Sequence, residues 1–137
     1  MKTNLILMLY CSLIFVLFVS CESSVSYESY SSDQIIGNFI TIGSFNFAQN
    51  DFPEKMNWHD AVKACNDLGD GWRLPTKDEL FLIYYNRVKI GGFHGSKYWS
   101  SSSIDEGYAN TLDFNSGDQS EDDKNARGCF VRAVRAF

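Results

Sequence analysis

Basic residues, histidines and recognisable nucleophile motifs are all scarce in this sequence. Against 17 Asp and Glu stand 12 Lys and Arg, so the net charge is −5 at pH 7. Nucleic-acid binding needs clustered basic residues, and this balance argues against that class of function. The two histidines, His59 and His94, have no Cys or His at ligand spacing, which argues against a zinc site. No Gly-x-Ser-x-Gly elbow is present, and the serines at 100–103 are better explained as edge-strand and turn residues.

Long apolar runs are also lacking, apart from residues 5–20 near the start of the chain. This run is shorter than the roughly 20 residues that span a bilayer, which disfavours the alternative of a retained membrane anchor. It follows a short basic start, an order typical of a secretory signal, so we predict a signal peptide over residues 1–20. The segment from Phe18 to Cys21 is similar to a bacterial lipobox, with Phe18 in place of the usual leucine. We therefore expect a lipid on Cys21 and a chain anchored to a membrane surface of the bacterial cell envelope, on its periplasmic or extracellular face.

A serine-rich stretch follows the lipobox. Residues 21–34 contain few large aliphatic side chains, so they cannot bury enough apolar surface to fold and are predicted to be a tether. Residues 35–137 are enough for one domain and not for two.

Helix and strand signals along this domain predict an α+β fold. Asn57 with Asp60 is an approximate capping box, and Thr76-x-x-Glu79 is a complete one, so a helix is expected after each. The stretch "DGWRLPTKDEL" between them is then a helix-to-helix link, and no residue in it demands catalysis. The β-prone segments "FITIGSFNFA", "KYWSSSS", "YANTLDF" and "CFVRAVRAF" predict strands on both sides of the helices.

Only two cysteines, Cys65 and Cys129, lie in the domain. In an exported protein such a pair most simply forms one disulfide, which would pin the first helix against the last strand. Two buried free thiols are the alternative.

Four motifs in order resemble one protein family. "MNWHDAVKAC", "GDGWRLPTKDEL", "YWSS" and "VRAVRAF" are similar to the bacterial Lcl C-terminal domain family, a domain of unknown function related to the Fibrobacter succinogenes major paralogous domain. The resemblance covers about residues 36–137. It implies a C-type-lectin-like fold, in which two helices flank a small, curved, mostly antiparallel sheet with paired terminal strands. It also implies that Cys65 and Cys129 occupy the helix-to-last-strand disulfide position of that fold.

Calcium-dependent sugar binding, which the fold suggests, lacks its sequence signatures. The Glu-Pro-Asn, Gln-Pro-Asp and Trp-Asn-Asp motifs of calcium-binding lectins are missing, so we expect no cofactor. A different calcium site could use the oxygen-rich stretch that contains Asp113, Asn115, Asp118 and Glu121. The EF-hand register fails there, and a solvated acidic loop between two strands is the favoured interpretation.

Aromatic and arginine side chains supply the remaining candidates. We expect Trp58, Trp72 and Trp99 to lie in the core. Tyr85, Phe93, His94 and Tyr98 surround the segment that resembles the variable ligand-side loop of lectin-like folds, and they are predicted to be exposed for binding. Three arginines, Arg73, Arg132 and Arg135, are expected to form structural ion pairs rather than a clamp for a ligand anion.

These observations favour a module that recognises a protein or a glycan without calcium. The alternatives are an architectural envelope domain with no small-molecule ligand and, less favoured, an enzyme of unfamiliar type. Because the fold alone does not determine function, the choice depends on the site.

Overall fold

Four helices and two three-stranded sheets make up the regular structure of residues 30–137, the part of the chain that the computed structural model describes. In chain order the elements are α1 (Ser32–Ile36), β1 (Ile40–Ile42), β2 (Phe45–Phe47), α2 (Trp58–Asp67), α3 (Lys77–Tyr85), α4 (Arg87–Ile90), β3 (Lys97–Ser103), β4 (Tyr108–Asp113), β5 (Gln119–Asp123) and β6 (Val134–Ala136). The predicted signal peptide, the predicted lipid site at Cys21 and most of the predicted tether lie outside these residues. No helix within residues 30–137 is long and apolar enough to cross a membrane.

Both sheets are antiparallel. The first has the order β1-β2-β6, and Phe45 of β2 faces Ala136 of β6, so the first strands of the domain pair with the last, as the resemblance implied. The second has the order β3-β4-β5, with an irregular register between Trp99 and Ser103. Bridges from Arg73 to Val134 and from Tyr98 to Phe130 connect the C-terminal segment, residues 128–137, to the helix link and to β3.

Both predicted helix starts are confirmed. The Asn57 side chain accepts a hydrogen bond from the Asp60 amide at 2.8 Å, which caps α2. Thr76 accepts from the Glu79 amide, and Glu79 accepts from the Thr76 amide at 2.8 Å, which completes the capping box of α3. These contacts lie within four residues of sequence, which is why the sequence alone reveals them.

The expected ion pair of Arg73 is also present. Its two terminal nitrogens donate to the two carboxylate oxygens of Glu79, each at 2.7 Å, and tie the helix link to the first turn of α3. Burial alone raises the pKa of Glu79, but hydrogen bonds from Arg73 and Thr76 outweigh burial and hold the pKa below its usual value. Glu79 therefore stabilises the fold as a carboxylate.

We expect Glu79→Gln to lower the free energy of unfolding at pH 7 by about 1–2 kcal/mol, because two charge-assisted hydrogen bonds are weakened. Stability from a lowered carboxyl pKa is present above the unfolded pKa, about 4.3, and is lost as pH falls through the folded value. Urea unfolding at several pH values should therefore show that the difference in free energy of unfolding between the wild type and Glu79→Gln shrinks below about pH 4. Asp78→Asn, an exposed change in the same turn, is the control. A Glu79→Gln deficit that is as large at pH 3 as at pH 7 contradicts this assignment.

Two apolar clusters form the core. One surrounds Trp72 and Trp99, which are buried as predicted, and includes both cysteines. The other surrounds Phe47, Leu80 and Tyr98. Trp58 packs against the first cluster but is only half-buried, contrary to the prediction. Its ring lies 4.5 Å from the Lys124 ammonium, and its indole donates to the Ser100 carbonyl.

Two elements were not expected from the sequence. The helix α1 includes Ser32 and buries Ile35, so regular structure begins before the predicted boundary at residue 35. The acidic stretch predicted as a solvated loop is partly strand, because residues Gln119–Asp123 pair with β4 as β5. The Asp122 carboxylate on this strand accepts from Lys97 at 2.9 Å and from Thr111 at 2.6 Å, so its charge is compensated.

Candidate functional site

The loop of residues 91–96 connects α4 to β3 and carries two of the predicted binding residues. It begins with Gly91 and Gly92, whose φ angles of +76° and +71° lie in the left-handed region that favours glycine. A Cβ on Gly92 would lie 3.4 Å from the Gln49 carbonyl oxygen and 3.6 Å from an Arg132 nitrogen. The glycine pair therefore ends α4 and brings the loop backbone close to a buried arginine.

Arg132 holds this loop in place from the buried side of the domain. Its side chain is fully buried, and its Nε donates to Oδ1 of Asp51 at 2.6 Å. Its terminal nitrogens donate to the carbonyls of Ala48, Gln49 and Gly92 at 2.8–3.0 Å, and to that of Gly91 at 3.3 Å. The Phe93 ring lies 3.9 Å from the guanidinium carbon. The arginine is thus a structural ion-pair residue, as expected, and it joins the segment after β2, the C-terminal segment and the loop in one network.

Asp51 connects the buried side chains of Arg132 and Tyr98 to the exposed ring of His94. Its Oδ2 accepts from the Tyr98 hydroxyl and also contacts Nδ1 of His94 at 3.0 Å. The His94 amide in turn donates to the Tyr98 hydroxyl oxygen at 2.8 Å. Burial, and then the negative Asp51 carboxylate, raise the pKa of Tyr98, so the phenol stays protonated and donates.

The predicted exposure of Tyr98 is wrong. Its ring is fully buried because β3 lies between the two clusters, with Trp99 facing one and Tyr98 facing the other. Tyr98 therefore supports the loop from inside rather than contacting a ligand.

His94 presents its ring to solvent in a fixed orientation. Its side chain is 55% exposed, and the ring stacks on Phe130 with centroids 4.1 Å apart and planes 4° apart. The bond to Asp51 and this stacking hold the imidazole in place. Phe93 is half-buried, so it belongs more to the loop's packing than to its surface.

A shallow cleft of about 320 Å³ opens beside this loop. Its lining consists of Arg87, Val88, Gly91, Gly92, Phe93, His94, Gly95 and Phe114. Of the lining residues, Val88 is 91% exposed. Tyr85 does not line the cleft but stands two residues before Arg87 in the chain, and its 74% exposure agrees with the expectation. We call the lining residues Arg87, Val88 and His94, together with the neighbouring Tyr85, the cleft rim.

Arg87 and Tyr85 are both positioned by Tyr84. The Arg87 guanidinium carbon lies 4.1 Å from the Tyr84 ring centre, and one terminal nitrogen donates to the Tyr84 carbonyl at 2.9 Å. Within residues 30–137 no carboxylate forms an ion pair with Arg87. Tyr85 packs edge-on against Tyr84 and parallel to Phe81, with centroids 5.9 and 6.3 Å apart. The rim therefore presents pre-oriented aromatic, apolar and cationic groups together.

Sequence reasoning did not identify Asp51, Arg87 or Val88 as part of this site. Asp51 lies between β2 and α2, and its partner Arg132 is 81 residues away in the sequence. Arg87 and Val88 follow the predicted second helix directly, and the glycine pair after them was the available signal that the chain turns sharply there.

Of the four weak calcium candidates, Asp113, Asn115 and Asp118 share one turn and Glu121 lies on β5. The Asp113 carboxylate accepts from the Asn115 amide within the turn, and Asp118 is exposed. In the part of the chain that the structure describes, no three acidic, histidine or cysteine side chains form a group that could hold a metal.

Serine hydroxyls of β3 have structural partners. Ser100 is buried and donates to the Asn110 carbonyl at 2.8 Å, and Ser102 accepts from the Lys77 amide at 2.9 Å. These bonds hold β4 and the start of α3 to β3. They agree with the interpretation of this serine run as strand residues.

The two cysteines are both buried in the cluster around Trp99, and the structure has both as free thiols, so it does not show the predicted disulfide. Burial raises the pKa of Cys65 far above its ordinary value, and burial followed by the Asp122 carboxylate raises that of Cys129 to about 12. Both are therefore protonated at neutral pH and poorly reactive.

Arg135 differs from the expectation of an ion pair. Its guanidinium carbon lies 5.0 Å from the Trp72 ring centre and 5.5 Å from that of Phe39, and its Nε is buried without a hydrogen-bond partner. Stacking on aromatic rings, rather than pairing with a carboxylate, holds this side chain.

One protein-family model matches this chain. The model of the Lcl C-terminal domain matches residues 28–135, which is most of the chain. No curated protein sequence matches this chain closely enough to count as a relative.

Solved structures with a similar fold include snake venom proteins of the C-type-lectin-like class. Botrocetin superposes with a TM-score of 0.56 at 14% identity, covering 74% of this chain and 98% of its own. Its complex with a mutant von Willebrand factor A1 domain gives 0.54 at 13% identity, with coverage of 74% and 98%. The venom toxin convulxin gives 0.53 at 12% identity, with coverage of 74% and 95%. At these identities the likeness establishes a C-type-lectin-like fold.

Proposed function

Since this chain belongs to the Lcl C-terminal domain family and has a C-type-lectin-like fold, we propose that it is a recognition module whose cleft rim binds a protein or a glycan. The observation that carries the proposal is the rim itself. Tyr85 and Val88 are 74% and 91% exposed, and Arg87 is held on Tyr84 without an acidic partner within residues 30–137. Aromatic and arginine side chains in fixed orientations carry much of the binding energy in known interfaces, because little conformational entropy is lost when they bind.

The support beneath the rim favours recognition over catalysis. The Asp51–Arg132 network fixes the loop and orients His94, while the hydroxyls of Ser100 and Ser102 are engaged in structural bonds. A rigid platform under exposed anchors is the arrangement that a binding site needs. Botrocetin, which has the same fold, is found in complex with the von Willebrand factor A1 domain. That pairing supports a protein ligand as one of the two options here.

The test is a screen of the full-length chain against a glycan array and an array of extracellular and envelope proteins, with calcium and with chelator. We expect a reproducible hit that survives chelation, because within residues 30–137 no three acidic, histidine or cysteine side chains form a group that could hold a metal. The double variant Tyr85→Ala, Val88→Ser should lose the hit. Phe39→Ala, which removes an exposed aromatic that meets Trp72 edge-on, should keep it. If the folded protein binds nothing on either array, an architectural role is favoured. Loss of binding in chelator would instead indicate a calcium site.

We further propose that the chain is exported and lipid-anchored through Cys21 at the surface of a bacterial envelope membrane. The apolar run at residues 5–20 and the lipobox-like sequence before Cys21 support this placement. Labelling cells with a radioactive fatty acid should mark the full-length chain and not Cys21→Ser. Equal labelling of both forms contradicts lipid attachment at this residue.

The pairing of Cys65 with Cys129 is proposed for the oxidised, exported protein. Both side chains lie in the same buried cluster, which supports the pairing. Thiol alkylation of the exported chain after denaturation, read by mass spectrometry, should leave both cysteines unmodified until a reductant is added. Alkylation of both without reductant would show two free thiols instead.

A further inference from the structure

The first sheet, which shares no residue with the cleft rim, carries an arginine on one of its faces. Arg135 of β6 pairs with Asn46 of β2, and Asn46 pairs in turn with Thr41 of β1. Residues at paired positions lie in one row on the same face of a sheet. Their neighbours along the strands, Phe47 and Val134, point to the other face and pack in the second apolar cluster. Arg135 therefore lies on the face that is turned away from that cluster.

Within residues 30–137, Arg135 is the arginine that makes neither a hydrogen bond nor an ion pair. The other four all donate to a carboxylate or a carbonyl: Arg73, Arg87, Arg127 and Arg132. The side-chain oxygen of Asn46, the cross-strand neighbour of Arg135, accepts from the Thr41 hydroxyl at 2.7 Å. The charge of Arg135 is thus not compensated by any carboxylate in this part of the chain.

Two aromatic rings orient the Arg135 guanidinium. Its carbon lies 5.0 Å from the ring centre of Trp72 and 5.5 Å from that of Phe39, and these two rings meet edge-on with centroids 6.1 Å apart. Contacts with aromatic rings use the flat faces of a guanidinium and leave its edge, where the N–H groups point, for an acceptor. Because Nε is buried, the two terminal nitrogens are the donors that a ligand can reach.

The surroundings of these nitrogens favour a carboxylate that has an apolar group beside it. A carboxylate is planar and accepts from two guanidinium nitrogens in a common plane. Phe39 is 43% exposed, and Phe137, two residues after Arg135, is 75% exposed. Exposed rings next to a pre-oriented arginine are the side chains that contribute most to protein interfaces. A protein segment in which an acidic residue precedes an aromatic one offers both the carboxylate and the apolar group.

We propose that Arg135, Trp72 and Phe39 form a docking site for an acidic, aromatic segment of a partner protein. The carboxylate of the partner accepts from the terminal nitrogens of Arg135, and its apolar side chain packs against Phe39 and Phe137. Binding supplies the carboxylate that Arg135 lacks within residues 30–137. This inference does not depend on the proposed ligand binding at the cleft rim.

Nuclear magnetic resonance of the isotope-labelled full-length chain tests the proposal with the peptide acetyl-Asp-Phe-amide. The peptide should shift the indole N–H signal of Trp72 and the Nε–H signal of Arg135 until both saturate. Acetyl-Asn-Phe-amide has the same shape without the charge and should bind at least about tenfold more weakly. Arg135→Gln should abolish the shift at Trp72, and Arg127→Gln, which removes a surface ion pair, should preserve it. Absence of a saturable shift, or equal affinity for the two peptides, overturns the proposal.

Acetate distinguishes a protein segment from a free carboxylate as the ligand. Because acetate makes no contact with the exposed rings, it should bind at least about tenfold more weakly than the Asp-Phe peptide, and Phe39→Ala should narrow this difference. Acetate that binds as tightly as the peptide would make this a site for small carboxylates and contradict docking of a segment. Tyr85→Ala, a change at the cleft rim, should leave peptide binding unchanged, so the two surfaces are tested separately.

Thermal unfolding distinguishes docking from a purely structural role of Arg135. Arg135→Met keeps an unbranched side chain against the rings and removes the guanidinium. Since no hydrogen bond or ion pair within residues 30–137 is lost, Tm should change by less than about 2 °C. Arg132→Met, which leaves the buried Asp51 carboxylate without its cation, should lower Tm far more. An equal loss of Tm in the two variants would show that Arg135 stabilises the fold and would contradict its assignment to a partner.

Discussion

Replacing Arg132 with methionine is expected to lower the free energy of unfolding by about 3–5 kcal/mol, the cost of removing one partner of a buried ion pair. Methionine keeps the length of the side chain but removes the guanidinium, which is fully buried and bonded to Asp51 at 2.6 Å. The Asp51 carboxylate would remain buried without its cation. The carbonyls of Ala48, Gln49 and Gly92 would each lose a donor as well.

Urea unfolding at pH 7 measures this loss. Arg127→Met is the matched control, because its ion pair with Asp60 lies at the surface with the arginine side chain 64% exposed. Surface pairs contribute about 0–1 kcal/mol, so this variant should unfold almost as the wild type does. If Arg132→Met costs no more than Arg127→Met, the network under the loop does not have the role assigned to it here.

The second large effect is expected for Trp99→Ala. This side chain is fully buried between α2 and the C-terminal segment, and its indole donates to the Met56 carbonyl at 2.8 Å. Truncating a buried tryptophan removes its apolar burial and leaves a cavity, which together cost about 3–5 kcal/mol. Trp99→Phe separates the loss of the hydrogen bond from the loss of apolar burial, since it retains much of the ring but not the indole N–H. It should cost about 1–3 kcal/mol.

Tyr85→Ala provides the comparison for this series. It also truncates a large aromatic, but one that is 74% exposed, and should change the free energy of unfolding by less than about 0.5 kcal/mol. Thermal unfolding followed by circular dichroism ranks the three variants. A loss at Tyr85 as large as that at Trp99 would mean that Tyr85 is part of the core and not a free anchor at the rim.

Local signals in the sequence predicted much of the fold. Both helix starts depend on a residue and its partner three positions later, and the strand over Lys97–Ser103 depends on one continuous β-prone run. Such features are complete within a few residues, so reading them requires no knowledge of tertiary contacts. The family resemblance added the pairing of the first strands with the last, which is confirmed by β2 and β6.

Features that depend on distant contacts could not be predicted. Tyr98 and Trp99 are neighbours on a strand that is covered on both faces, so the rule that alternate residues are exposed fails there. β5 contains almost no β-forming residues and exists because β4 offers it a partner. Asp51 and Arg132 meet only after both ends of the domain have folded together.

The candidate site was predicted in outline only. The sequence singled out the loop that lines the cleft and predicted the exposure of Tyr85, but it placed Tyr98 at the surface and omitted Arg87 and Val88. Exposure of a single aromatic depends on how neighbouring elements cover it, and this coverage is set by α3, β3 and the C-terminal segment together.

The most direct test of the central claim, that the cleft rim is the binding surface, is the affinity of rim variants for the ligand identified on the arrays. We predict that Tyr85→Ala weakens binding at least about tenfold, equivalent to about 1.4 kcal/mol, while its stability stays at the wild-type level. Phe39→Ala should bind as the wild type does. Unchanged affinity of Tyr85→Ala, together with weaker binding by Phe39→Ala, would place the binding surface beside Trp72 and Arg135 and contradict the account.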